Sequence, residues 1–492
     1  MNSLKAIVFS IIILSQISCK DQSSRPLSFD ELESKKFLTE IYEAHPLPGL
    51  VAVIVSGDQT QLIVQGYAAL KDSIPFTDQT MFFTGAFSEL IVSSAILKLA
   101  EDEQLQLTDL VVDHIPYFQM QGAYDQVSVH HLLSHTSGIS HFNPAWDIPT
   151  YDAGALSATT KSIIYQPLEF TPGTRVRRSP YNTDIAADLI QNFSGQSFEK
   201  SINDQFLVKI GMTHSTFDFN SFQNQDLAKP HQVSHWLTYD QKESDMYPYT
   251  RENVGSYGFH STATDIATWI STVLEKPEST LFEKLYTMSE GHYKGYGWEV
   301  FQTERNLIYN NSWAIGGFSA DLTLIPEKNL GVFVLANTME DFNPSIISRQ
   351  LLDFVQGGEL PAIKPPIHIA MSQMMARGHC LEEVFNWYET QMHHADSPYE
   401  MNSTLIGQFG VNLLHRVDQP VDALKVFQFA VDQYPQSAQA YLNLAEGLLV
   451  NNEVEAAERA LEKALTLDPS DHAYAQFLKE RITVELEGRD ST

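Results

Sequence analysis

The chain has 492 residues, room for about three domains of ordinary size, and its 43% hydrophobic and 11% aromatic content can fill large cores. It carries 31 Lys and Arg against 61 Asp and Glu, and a formal net charge of −30 repels nucleic acid and anionic membrane surfaces. Two cysteines, Cys19 and Cys380, are too few for a disulfide framework.

The first residues, MNSLKAIVFSIIILSQISCKDQSS, place one lysine before an apolar stretch from Ala6 to Leu14. That stretch is too short to span a bilayer comfortably, so residues 1–18 read as a secretory signal. Cys19 directly after it resembles the lipidated cysteine of bacterial lipoproteins, although Gln16 stands where a leucine is usual. The resemblance implies a membrane lipoprotein of the bacterial cell envelope, with residues 19–30 as a tether and the membrane reached through the lipid on Cys19. Simple cleavage and a retained anchor are the alternatives. With Cys19 acylated, Cys380 has no intrachain partner. His131 and His135 stand at i, i+4, a spacing that holds zinc when a third ligand follows, but no HExxH pattern accompanies them. Neither a metal nor a cofactor is expected.

Two β-rich runs open the globular part, GLVAVIVSG (49–57) and QLIVQGYAAL (61–70), around a Gly-Asp-Gln-Thr turn that marks a hairpin. A second pair comes late, GGFSADLTLIP (316–326) and LGVFVLAN (330–337), across Pro326-Glu327-Lys328-Asn329. Helical patterns lie between them at 87–103, 183–193, 198–209 and 262–274. Strands at both ends with helices between them predict an α+β class: one antiparallel sheet completed by distant segments and flanked by helices, with an inserted helical lobe. This domain is assigned residues 31–356, ending on a helix over about 344–356. The Gly and Pro residues of GGELPAIKPPIHI mark a linker at 357–370.

Beyond it, at 371–492, short helices follow a strict period. Ala423, Phe427, Ala430 and Pro435 return as Ala457, Leu461, Ala464 and Pro469, each 34 residues later. This all-α array resembles tetratricopeptide repeats, with small Ala where paired helices approach and Pro where a unit ends. Residues 380–394 with 404–416, and a final helix at 473–486, are expected to complete the stack. Gly407, Gly410 and Val411 depart from the consensus of the repeat. A protein partner on the concave face is the expected use of the array.

The first domain resembles serine β-lactamases and penicillin-binding-protein-like hydrolases of the class C type. HHLLSHTSGI (130–139), PGTRVRRSPYNTDIAADLI (172–190), SGQSFEKSINDQFLVKIGMTHSTF (194–217), GFHSTATDIATWI (258–270) and GGFSADLTLIPEKNLGVFVLAN (316–337) carry the likeness, in order. In that family a serine at a helix N-terminus attacks the substrate, with a lysine three residues on as its proton acceptor. A Tyr-x-Asn element relays protons, and a Lys- or His-Thr/Gly-Gly stretch on a strand completes the oxyanion hole. Aligned without gaps, the serine and lysine fall on Ala86 and Glu89, and Tyr-x-Asn falls on Arg178-Ser179-Pro180. The third stretch falls on Asn311-Ser312-Trp313. All three motifs fail together.

No shift of register restores them. Ser88 lies about 200° around a helix from Ala86 and has Ile91 three residues on. Ser94 and Lys98 share a helix face, but about 12 Å from its mouth. Tyr181-Asn182 has the wrong spacing behind Pro180, and no GxSxG elbow is present. His135, Thr136, Ser137 and Gly138 are expected to form a structural turn beside the site; nothing in the sequence decides whether His141 and Trp146 line the cleft. The resulting expectation is a pseudoenzyme that binds a peptide, glycan or protein ligand in the old cleft. An active esterase, peptidase or β-lactamase-like hydrolase using other residues, and a scaffold built on the repeats, are the alternatives.

Overall fold

A computed structural model describes residues 29–141, 150–222, 226–275, 296–303, 306–470 and 473–490. Cys19, the signal, the first part of the tether and Trp146 lie outside the described residues.

Eleven strands are numbered in chain order: β1 Gly49–Ser56, β2 Gln59–Ala69, β3 Ile74–Pro75, β4 Phe82–Phe83, β5 His231–His235, β6 Asp240–Glu243, β7 His260–Ser261, β8 Glu299–Gln302, β9 Leu307–Ile315, β10 Phe318–Ile325 and β11 Leu330–Ala336. Seven form one sheet in the order β3-β2-β1-β11-β10-β9-β8. The two hairpins read from sequence are therefore joined through β1 and β11, which pair antiparallel from Leu50 opposite Ala336 to Ser56 opposite Leu330. These central strands read as continuous apolar runs because both of their faces are covered. Gly57, at φ 58°, makes the turn between β1 and β2, a left-handed conformation that costs glycine least.

On one face of the sheet, helix α1 (Glu31–Ala44) and a late helix (Pro344–Val355) pack Leu38, Ile41 and Leu351 on Leu50, Ile54 and Val334. On the other face, α2 (Phe87–Glu101), α3 (Pro180–Ser194) and α4 (Ala263–Glu275) close the core and build the lobe. The helix expected over 198–209 is a continuous coil of three kinds: α-helical at Phe198–Ile202, π-helical at Asn203–Leu207 and 3-10 at Val208–Ile210. It ends at Gly211, φ 89°. The strand expected from residue 316 begins at Phe318, because Gly316 and Gly317 form the β9–β10 turn and pack against Pro248 and Pro230.

With Pro344–Val355 as α5, the rest of the chain is all helix: α6 Ile367–Ala376, α7 Leu381–Met392, α8 Ser403–His415, α9 Pro420–Gln433, α10 Ala438–Val450, α11 Val454–Leu467 and α12 Ala473–Asp490. Helix α6 begins inside the segment read as linker. Helices α8–α9 and α10–α11 pack as pairs, while α6, α8, α10 and α12 follow one another as neighbours. The periodic Ala423, Ala430, Ala457 and Ala464 are all buried. One departure from consensus has a packing reason at Phe427: a Cβ on Gly410 would come within 2.4 Å of its ring, and one on Gly447 within 2.5 Å. One phenylalanine thus uses the room that two glycines leave.

The hairpin β5–β6 of the first domain docks on α6 and α8. Tyr239 accepts a 2.7 Å hydrogen bond from Asn412 Nδ2 at its hydroxyl, and its ring meets that of His368 edge-on. Arg416 lies 5.0 Å from the centre of the Trp236 ring, and Ile369 packs with Val233 and Tyr239. Part of the surface of the array is therefore occupied by the chain's own hairpin.

Candidate functional site

Helix α2 enters the core directly from β4, which β7 holds in place by pairing Phe82 with Ser261 and Phe83 with His260. Its N-terminal position is Ala86, which has no side-chain oxygen with which to cap the first turn. Tertiary bonds hold that turn instead. Thr84 donates from its hydroxyl to Phe259 O at 2.8 Å, and Ser88 Oγ donates to Gly85 O and accepts from Phe259 N at 3.0 Å. Ser88 is fully buried and spent on structure. Ser94 donates to Leu90 O, and Lys98 pairs with Glu101 and Asp102 at the helix's far end.

Five of the six positions singled out by the family alignment surround one cleft of about 250 Å³: Ala86, Glu89, Arg178, Asn311 and Trp313. Tyr257, Gly297, Glu299 and the rest of the 310–315 strand also line it. Pro180 does not line it; it is buried as the first residue of α3, where a missing N–H costs nothing. Trp313 lies across the N-terminus of α2. Its indole makes an edge contact with Phe83 and sits where a Cβ on Gly85 would be, 2.5 Å away.

Glu89 carries the polar network. Its Oε1 accepts from Arg178 NH2, and its Oε2 lies 3.5 Å from His135 Nε2. The ring of His135 is oriented from behind: Ser179 N–H at 3.4 Å and Asn182 Nδ2 at 3.0 Å both face Nδ1. A backbone amide only donates, so Nδ1 accepts and the ring proton sits on Nε2, directed at Glu89. Burial opposes the charge on Glu89, but Arg178 and His135 outweigh it and hold the carboxyl below its ordinary range. Behind this pair, Asp184 of α3 is pushed up to about 7, mainly by burial and further by the charge of Glu89, against donors from Ser256 and Asn253.

His135 was read as part of a structural turn, and in part it is: Ser137 bonds Asn182 at 2.6 Å, and a Cβ on Gly138 would meet Phe170 O at 2.2 Å. The same turn also delivers the imidazole to Glu89, and Tyr257, which no sequence motif marks, turns its hydroxyl to Arg178 NH1 at 3.5 Å. His131 serves elsewhere, accepting from the Ser128 amide at Nδ1, so the i, i+4 histidines do not converge. His141 faces Arg178 O through Nδ1 at 3.2 Å.

Chemically, the helix mouth offers a methyl group where acylation needs a hydroxyl or thiol. Next to it is a carboxylate already committed to two donors, and a guanidinium that keeps its protons. Asn311 donates to Gly297 O at 3.1 Å, a neutral amide where the family has a cation.

The family model for beta-lactamase matches residues 35–353. The chain belongs to the beta-lactamase family. A tetratricopeptide repeat model matches residues 414–482. Among relatives of this beta-lactamase family chain, Protein flp of Staphylococcus aureus (strain MRSA252) is 26% identical over 315 residues, 62% of each chain. The D-alanyl-D-alanine-carboxypeptidase/endopeptidase AmpH of Escherichia coli (strain K12) is 20% identical over 359 residues, 67% of this chain and 91% of AmpH. The chain thus spans less than two thirds of the Staphylococcus protein's length. Among solved structures, the octameric penicillin-binding protein homologue from Pyrococcus abyssi superposes with a TM-score of 0.58 at 22% identity, over 71% of this chain and 82% of that one. That similarity supports the fold, an antiparallel sheet with flanking helices and a lobe.

Proposed function

We propose that this chain is an exported, lipid-anchored member of the beta-lactamase family that binds an extended peptide in the cleft over Ala86 without becoming acylated. The observation that carries the reading is Ala86 at the mouth of α2, with the base position taken by a Glu89 bridged to Arg178. The preference for a peptide comes from the sheet. Strand β8 covers β9 only at residues 307–310, whereas β10 pairs with β9 through 315. Among the described residues the backbone edge of residues 311–315 is left along the cleft, and an extended peptide adds to such an edge through main-chain hydrogen bonds. The repeats then serve as a body clamped to the first domain by β5–β6.

Intact-protein mass spectrometry after excess penicillin and, separately, a fluorophosphonate tests the chemistry. The expected result is an unmodified mass; a stoichiometric adduct on a cleft serine would return the active-hydrolase reading. Hydrogen exchange at residues 311–315 with a pool of neutral extended hexapeptides tests binding, and unchanged exchange there would remove the edge from the proposal. Substitution Cys19→Ser should release the protein from the membrane fraction; unchanged partitioning would exclude the lipid anchor.

A further inference from the structure

A second groove, apart from the cleft over Ala86, opens between the segment around residue 151, the coil after α3 and the residues following Met212. It encloses about 570 Å³. Its floor is aromatic. Tyr151 lies nearly parallel to Tyr249, with planes 10° apart and centroids at 6.0 Å, and against Phe219 at 4.9 Å; Phe219 and Tyr249 stack at 4.9 Å. Tyr151 nevertheless keeps 47% of its surface exposed. It is held in place: Thr150 O accepts from Arg251 N at 2.7 Å, and the hydroxyls of Thr150 and Thr250 meet at 3.0 Å. A rigid tyrosine presents apolar area at low conformational cost.

The rim differs from the floor. Asn220 has an exposed side-chain amide with no partner among the described residues, and the exposed His214 also lines the groove, its Nδ1 facing the Thr213 hydroxyl at 3.3 Å and Asp265 at 3.8 Å. Asp218 supplies a carboxylate, one oxygen of which accepts from Asn220 N at 3.0 Å. The strongest charges near the groove are neutralised internally, Glu199 by Arg251 through two bonds of 2.6 and 3.1 Å and Lys200 by Asp204. An anionic ligand would therefore gain little here, while Asp218 can still accept from a hydroxyl. The complementary ligand is neutral, with one flat face of C–H groups for the tyrosine and a periphery of hydroxyls for the amide, imidazole and carboxylate. A pyranose ring has this distribution, and a groove of this volume lies within the usual range for small-ligand sites.

We propose that this groove is a site for a neutral oligosaccharide, one ring of which stacks on Tyr151. It stands independently of the peptide reading for the cleft. The full chain is titrated with chitotriose and, separately, with cellotriose by calorimetry and saturation-transfer NMR. Saturable binding of one of them is expected, weakened about tenfold or more by Tyr151→Ala, the loss of a ring-stacking contact worth about 1.4 kcal/mol. Tyr151→Phe should bind within about twofold of the parent, since it keeps the ring. Melting curves should show both variants folded, because Tyr151 is half exposed; if Tyr151→Ala is not folded, Asn220→Ala on the rim carries the same test. No binding of either sugar would overturn the proposal. So would binding unaffected by these substitutions, and so would a groove that takes an aromatic peptide but no sugar.

Discussion

Glu89 and Arg178, 89 positions apart in sequence, meet at the mouth of α2 as a carboxylate–guanidinium bridge. The carboxylate side chain is 3% exposed and the guanidinium side chain 21%. This asymmetry sets the cost of losing either partner. Arg178→Gln strands a buried anion with only His135 beside it, a loss of about 3–5 kcal/mol for a fully buried charge. Glu89→Gln leaves a cation that water can reach, so its cost should be smaller. A double-mutant cycle read by urea denaturation is expected to give coupling above about 1 kcal/mol; additive effects would mean that the bridge does not form in solution.

The same site predicts two opposed pH dependences. Glu89 titrates below its ordinary value of 4.5 in the folded chain, so its contribution is present above that value and fades as pH falls through the folded pKa. Asp184 has the opposite sign. It titrates at about 7 when folded against 3.8 for the free side chain, so the folded state holds the extra proton between these values and stability declines as pH rises across that window. The full shift corresponds to at most about 4 kcal/mol. Denaturation midpoints of the wild type and Asp184→Asn across this window are expected to converge as pH rises if the variant is the less stable at the acid end, and to diverge if it is the more stable there. A parallel pair of curves would show that Asp184 titrates normally. Glu89→Gln should flatten the wild-type slope, because the charge of Glu89 contributes to the rise in Asp184.

Gly85 and Trp313 form the other unusual contact of the cleft. Gly85 sits at φ 50°, and an added Cβ would lie 2.5 Å from the indole. Gly85→Ala therefore combines a left-handed strain of about 1–2 kcal/mol with a steric conflict. Adding Trp313→Ala should recover the steric part and leave the backbone part, measured as a partial return of the melting temperature. No recovery would mean that the indole lies elsewhere.

Much of this was legible in the sequence because it rests on local pattern. The β1–β2 and β10–β11 hairpins and the 34-residue period follow from alternation, turn residues and spacing, and the position of Ala86 from the resemblance to the family. The family alignment also indicated which side chains would gather, since Ala86, Glu89, Arg178, Asn311 and Trp313 all line one cleft. What stayed hidden depends on contacts between distant segments. Nothing near His135 in sequence shows that its Nε2 reaches Glu89, and nothing at Tyr257 marks it as a neighbour of Arg178. Gly410 departs from the repeat consensus for a reason that only the Phe427 ring supplies, and Gly447 meets the same ring. Pro180 failed for the converse reason: its place in the motif was right, but as the first residue of a helix it is turned into the fold.

Restoring the nucleophile should not restore chemistry. In Ala86→Ser the new hydroxyl would stand one turn from Glu89, whose carboxylate is held below its ordinary pKa and occupied by Arg178 and His135. A serine needs a nearby base that is free to take its proton. The expected outcome is an intact mass unchanged by penicillin or fluorophosphonate. Covalent labelling at position 86 would show that Glu89 or His135 can serve as that base.

The last prediction concerns the junction of the two parts. Tyr239 receives Asn412, stacks edge-on with His368 and shares a cluster with Val233 and Ile369, while Trp236 lies beneath Arg416. His368 in turn reaches Asp341, which follows β11, through Nε2 at 3.3 Å. Because Tyr239 is only 4% exposed, removing its ring in Tyr239→Ala opens a cavity at the contact, a loss of about 3–5 kcal/mol for a large buried aromatic. Each part has its own core, built around Phe87 and Trp269 in the first and Phe409 and Phe427 in the second. The substitution should therefore separate the parts before it unfolds either. Limited proteolysis is expected to cut the 357–366 segment faster in Tyr239→Ala, while thermal unfolding splits into two transitions. Tyr239→Phe keeps the ring and loses the hydroxyl's bond from Asn412 together with its interactions with Asp341 and Ser372, about 1 kcal/mol for each bond, and should remain clamped. A single unshifted transition in Tyr239→Ala would mean that the array is held to the first domain by something other than this hairpin.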